Sequence, residues 1–122
     1  MNEKKPNIVR DKSFAFAVRI VDLYKYLYSD KKEYVLSKQL LRSGTSVGAN
    51  VREAVNAQSK KDFIHKLAIA QKECDESIYW LELLKETEYL KTEEFNDLEN
   101  DAIELLKIIK SIIITTKSKM NP

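Results

Sequence analysis

The sequence predicts an all-α fold, an up-down-up-down antiparallel four-helix bundle, on three observations. Only two glycines and two prolines occur among 122 residues, and Pro6 and Pro122 stand near the termini, so hairpins and tight turns lack their usual residues. Charged residues make up 33% of the chain, with Leu, Lys and Glu abundant, a composition that favours helix. Apolar residues recur at steps of three and four in four successive segments separated by three short polar breaks. A chain of this length is one domain, residues 1–122, large enough to bury a core without metal or disulfide support.

Helix one is expected over about residues 12–30. Phe14, Val18, Val21, Tyr24 and Tyr28 form one apolar stripe, and Phe16, Ile20, Leu23 and Leu27 form a second, leaving a narrow polar side around Arg19, Asp22 and Tyr26. Such a helix must touch more than one neighbour. The segment SDKKE at 29–33 breaks the pattern, with Ser29 or Asp30 as turn or cap residue. Helix two follows over about 33–58, with Leu36, Leu40, Gly44, Val47, Val51, Ala54 and Val55 on one face and Gly48 at its edge.

Ser59 is a natural N-cap for helix three, about 60–86, whose core stripe is Phe63, Leu67, Ala70, Cys74, Ser77, Ile78, Leu81 and Leu84. Thr92, with Glu93 and Glu94 near the positive end of the helix dipole, opens helix four, about 92–117. Its seam is Phe95, Leu98, Ala102, Leu105, Ile109 and Ile112. Outside that seam fall Ile103, Leu106, Ile108, Ile113 and Ile114. The surplus apolar surface of helices one and four exceeds what one core can hold, and it predicts burial against further copies of the chain.

The segment LRSGTSVGANVREA, residues 41–54, places both glycines four apart inside helix two. Gly in a helix interior costs about 0.5–1 kcal/mol relative to Ala. The four-residue spacing stacks Gly44 and Gly48 on one side, where another backbone can approach closely. The alternative is a concavity for a ligand or a nucleic-acid backbone. The segment has no GK[ST] ending and follows no strand, so it is not a phosphate loop. Away from the glycine face, Arg42, Ser46, Ala49 and Glu53 align, with Asn50 beside them. Helix three carries a comparable stripe of Ile69, Glu73, Glu76, Trp80 and Leu83. Pairing of Arg42 or Arg52 with Glu73 or Glu76 would orient neighbouring helices or subunits, a register device rather than catalytic chemistry.

Few residues here carry chemistry. Cys74 is the single cysteine and lies on an apolar stripe, which fits a small buried hydrophobe in a reducing, cytoplasmic setting. His65 is the single histidine and falls off the core stripe, so Glu73 and Glu76 lack the Glu-x-x-His partners of di-iron bundles. No nucleophile, base and orienter converge, and neither an enzyme, a metal site nor a cofactor is expected. No uncharged run approaches the roughly 20 residues that cross a bilayer, and no export signal opens the chain.

Net charge is +2, yet residues 1–61 hold 13 Lys and Arg against 6 Asp and Glu, while residues 62–122 hold 8 against 13. That asymmetry fits either a basic surface for nucleic acid or two halves that attract one another within a fold or between subunits.

Two motifs carry a family resemblance. Arg42, Ser46, Val47, Ala49, Asn50, Val51, Glu53 and Ala54 form the first; Phe63, Leu67, Ile69, Ala70, Glu73, Glu76, Ser77, Tyr79, Trp80 and Leu81, within FIHKLAIAQKECDESIYWLELL, form the second. In both the chain resembles the small bacterial four-helix-bundle family of 23S rRNA intervening-sequence proteins, and it is similar to accessory proteins of diversity-generating retroelements. The resemblance implies a homo-oligomer, a ring-like pentamer, and an association with RNA or a nucleic-acid-associated protein. The expected function is therefore a non-enzymatic oligomeric scaffold that binds RNA or a ribonucleoprotein; the alternative is a protein–protein interaction module that ignores nucleic acid. For RNA, the candidate contacts are Lys12, Arg19, Lys25, Lys31, Lys32 and Lys38, with Tyr24, Tyr26 and Tyr28 as stacking groups. The plainer reading of the same residues is a solvated lysine face over buried tyrosines.

Overall fold

The computed structural model describes residues 7–120. It holds four helices, α1 (Ile8–Ser29), α2 (Leu36–Val55), α3 (Lys60–Glu86) and α4 (Thr92–Met120), and no strand among the described residues. Contacts between successive helices run in opposite numerical order, which fixes the antiparallel topology. Gly44 lies against Ile20 and Gly48 against Ser13. Ser43 meets Ser77 at 3.0 Å, and Glu53 meets Lys66 at 2.8 Å. Cys74 donates to the Ala102 carbonyl at 3.3 Å, and Lys85 stands 4.8 Å from the Phe95 ring centroid. The helices pack in the ring α1, α2, α3, α4, with the α1/α4 seam the slightest of the four.

Helix boundaries follow from local hydrogen bonding. The Asn7 side chain accepts the Arg10 N–H at 2.9 Å, so α1 begins at Ile8 and not near residue 12. Ser59 caps α3 by accepting the Asp62 N–H at 3.0 Å. At the α2 start, Glu33 is not the first helical residue. It lies in the turn, and its carboxylate accepts the N–H groups of Val35 (3.1 Å), Leu36 (2.9 Å) and Ser37 (2.6 Å), three of the four orphan donors of the helix. Burial alone would raise its pKa, but these bonds outweigh burial and hold it below the ordinary value of 4.5. At the far end α2 closes at Val55, short of residue 58, while α4 runs on to Met120, past 117.

With both glycines inside α2, the turns use other residues in left-handed geometry: Lys32 at φ 56 and Glu88 at φ 69. After α3, Tyr89 N–H donates to Leu84 C=O (2.8 Å) and Glu88 N–H to Lys85 C=O (3.0 Å), the paired bonds of a Schellman cap.

The core is made by one stripe from each helix. Phe16, Ile20, Leu23 and Leu27 of α1 are buried with Leu40, Val47 and Val51, Leu67, Cys74 and Leu81, and Leu98, Leu105 and Ile109. The other α1 stripe faces out: Phe14 is 59% exposed and Val18 45%. Helix four hides more than its seam predicts, with Ile113 buried, Leu106 and Ile108 packed on the core, and Ile114 fully outward at 67% exposure. Val55, expected on the inner face, is exposed because α2 ends there.

The glycines answer to the α1/α2 crossing. A Cβ at Gly44 would stand 2.9 Å from two side-chain carbons of Ile20, itself fully buried, and one at Gly48 would stand 3.2 Å from the Ser13 backbone oxygen. Gly44→Ala gains about 1 kcal/mol of helix propensity, yet overpacking costs about 1–3 kcal/mol. Urea unfolding should register a net loss for Gly44→Ala in the native background and a gain when Ile20→Ala has made room. Equal shifts in both backgrounds would remove the close-packing account. Glu33→Gln should lower stability by about 1–3 kcal/mol at neutral pH. Because the folded-state pKa of Glu33 is depressed, its contribution is complete above the ordinary glutamate range and is lost as pH falls through the lower folded value. Melting curves of the two proteins should therefore converge in acid; a gap that persists at pH 2 would contradict the cap.

Candidate nucleic-acid interface

The turn from α1 to α2 gathers cations and aromatic rings. Glu33 fixes its backbone from within, and Lys25, Lys31, Lys32 and Lys38 surround it as exposed side chains that enter no ion pair among the described residues. Lys31 Nζ stands 5.9 Å from the Tyr26 ring centroid. Tyr28 meets Tyr34 edge-on at 4.8 Å and Tyr24 at 5.9 Å. Tyr26, Tyr28 and Tyr34 are exposed, so they are not the buried tyrosines of the plainer reading; only Tyr24 is half-buried. Cations beside aromatic faces suit single-stranded nucleic acid, in which phosphates and unstacked bases alternate.

Lys12 and Arg19 do not join this group. Lys12 bonds Glu104 at 3.0 Å, and Arg19 forks between Asp97 (2.7 Å) and Asp101, so both tie α1 to α4. Part of the charge asymmetry between the halves of the sequence is thus consumed inside the fold.

The motif residues of α2 and α3 set helix register. Arg42 donates to Glu73 at 3.3 Å and to Glu76, while Trp80 Nε1–H donates to the same Glu76 oxygen at 3.0 Å. Arg52 makes no such pair. Glu53 binds Lys66 about three turns further along α2. Asn50 donates within its own helix, to Ser46 C=O at 2.9 Å and Ser46 Oγ at 3.1 Å. Gly44 and Gly48 face α1, and beside Gly48 the crossing opens onto a cleft of ≈ 430 Å³ walled also by Phe14, Ala17, Thr45 and Ala49. The Trp80 hydrogen bond, opposed by partial burial and reinforced by Arg42, holds the Glu76 carboxyl below its ordinary value of 4.5.

Other chemistry is muted. Burial, aided by Asp75, pushes the Cys74 thiol up to about 12, far from thiolate reactivity. His65 is exposed, and among the described residues no cluster of three or more His, Cys, Asp or Glu side chains could hold a metal. No described helix is long and apolar enough to cross a membrane. Two features were not legible in advance: Glu33 as the anchor of the turn, and Tyr34 as a partner of Tyr28. The run of Tyr, Val and Leu after Glu33 was the one available signal, and it reads equally as a helix start.

Known proteins bear on this geometry. The model of a family described as 23S rRNA-intervening sequence protein matches residues 5–111. A crystal structure from Bacteroides thetaiotaomicron VPI-5482, of a protein with unknown function from the S23 ribosomal protein family, is 59% identical to the chain, covers 88% of it and 96% of its own length, and superposes with a TM-score of 0.87. No curated protein matches the chain.

The Arg42, Glu76 and Trp80 arrangement is directly observable, because Trp80 is the sole tryptophan. Its fluorescence should change with pH at a midpoint below 4.5, the ordinary Glu value, and Arg42→Gln should move that midpoint upward. An unmoved midpoint would mean that Arg42 does not act on Glu76 in solution.

Proposed function

Because the chain belongs to the 23S rRNA-intervening sequence protein family, we propose that it is a non-enzymatic, cytoplasmic, homo-oligomeric scaffold that binds RNA or a ribonucleoprotein. The observation that carries this reading is the α1–α2 turn, where Lys25, Lys31, Lys32 and Lys38 are left outside ion pairs among exposed tyrosines. Long cationic side chains supply phosphate contacts, and rings supply stacking that tolerates any base.

Self-association rests on separate residues. Phe14 and Val18 lie along the outer α1 stripe, uncovered in the single chain. Exposed apolar patches mark interaction surfaces, and a ring, pentameric by family resemblance, covers this one in every copy with no free edge. Within such a ring the Arg42 and Glu53 pairs hold each bundle rigid, so that the assembly presents a fixed surface. A buried thiol in its neutral form, with no nucleophile, base and orienter converging among the described residues, supports a binding role over catalysis.

The test is a titration of the purified protein with mixed cellular RNA at two salt concentrations, with mass followed by light scattering. Binding should weaken steeply as salt rises, with the oligomer intact. Replacing Lys31, Lys32 and Lys38 with Gln should weaken it further without loss of oligomer. No binding at low salt would leave the protein–protein interaction module as the better account.

A further inference from the structure

The charges of this bundle are sorted along its axis, and the two halves of the sequence conceal that sorting. One end carries the start of α1, the α2–α3 turn and the close of α4. Over residues 7–16, 52–66 and 107–120, which form it, ten Lys and Arg stand against three Asp and Glu. The opposite end, residues 22–38 and 82–97, has six against nine. The lysines of α4 belong to the acidic half of the sequence yet lie at the basic end of the molecule, whereas Lys31, Lys32 and Lys38 lie at the acid-rich end.

At the basic end, ion pairing consumes little of the charge. Lys12 and Lys66 are engaged with Glu104 and Glu53, and Arg10 touches only its neighbour Asp11, at 3.5 Å. Arg52, Lys60, Lys61 and the α4 lysines enter no ion pair among the described residues. Arg10 and Arg52, 42 positions apart in sequence, flank the same two adjoining clefts of ≈ 620 and ≈ 430 Å³, which share Phe14 as a wall and so border the outer α1 stripe assigned above to self-association. A third cleft, ≈ 750 Å³, continues from Arg52 across Asn56 and Ser59 to Lys66. The walls of these open clefts carry guanidinium, amide and hydroxyl donors that bind phosphate oxygens, beside the carboxylates of Asp11, Glu53 and Asp62.

Resting on the RNA-binding reading above, we infer that this end, centred on Arg10 and Arg52, is the principal phosphate-binding surface, and that the tyrosine-rich turn at the other end adds stacking rather than most of the electrostatic attraction. The long-range field draws a polyanion to the end with excess cations, since six lysines among nine acids attract it weakly.

Two full-length variants separate the possibilities, each neutralising three exposed or half-exposed cations: Arg10→Gln with Arg52→Gln and Lys60→Gln at the basic end, and Lys31→Gln with Lys32→Gln and Lys38→Gln at the turn. Fluorescence anisotropy with a labelled single-stranded oligoribonucleotide of mixed sequence, over a salt series, is the readout; melting temperature and light-scattering mass establish that each variant is folded and assembled as the parent. The basic-end variant should lose about tenfold or more in affinity, with its log–log salt slope reduced by about 2, as expected for three lost contacts to a single strand. The turn variant should lose less and keep most of the slope. An equal or greater loss in the turn variant would overturn this inference while leaving RNA binding in place. Failure of the parent protein to bind at low salt would overturn both.

Discussion

With only hydrogen atoms on the α carbons of residues 44 and 48, α2 comes so near α1 that side chain and backbone of the neighbour fill the space a methyl group would need. That approach fixes the rest of the bundle. It seats Ile20 directly on α2 and turns the Phe16, Ile20, Leu23 and Leu27 stripe inward, which leaves Phe14 and Val18 on the outside. A larger residue at 44 would push α1 outward, away from the layer in which Leu40, Val47 and Val51 close the core. The intrinsic weakness of a helix with Gly, Thr, Ser and Gly at its centre is offset by the packing that weakness permits.

Polar pairs then index the helices along their length. Arg42 spans Glu73 and Glu76 at mid-height of the α2/α3 seam, Ser43 and Ser77 share a buried hydrogen bond at 3.0 Å in the same layer, and Glu53 and Lys66 mark a level about three turns further along α2. Exposed ion pairs contribute little stability individually, about 0–1 kcal/mol. Their effect here is to disfavour a slipped register, in which each charge would lose its partner and each serine would meet an apolar neighbour.

Much of this was readable from residues alone, for identifiable reasons. Ser59 announces a capped start, and α3 runs over Lys60–Glu86 as the periodicity indicates. The glycine pair and the Arg42 contacts were likewise local or near-local patterns on two adjacent helices. What escaped depends on geometry that spacing does not encode. Glu33 occupies the place a first helical residue would have, and only the inward reach of its carboxylate to three N–H groups separates cap from helix. Ile113 is the buried residue near the end of α4, where the seam extrapolates to Ile112, because past that point few neighbours remain to define an inner side. The convergence of Arg10 with Arg52, and the placement of the α4 lysines beside them, required knowing which ends of which helices meet.

The seam between α1 and α4 differs in kind from the others. It is the slightest contact, and its ties are Lys12 to Glu104 and Arg19 to Asp97 and Asp101, all reachable by solvent. Counterions screen such ties while leaving apolar packing intact. The molecule is therefore built like a book, with α2 and α3 as its spine and α1 and α4 as covers latched by charge. Rising ionic strength weakens that latch, while the buried side chains of α1 and α4, Phe16, Ile20, Leu105 and Ile109 among them, still hold the covers to the spine.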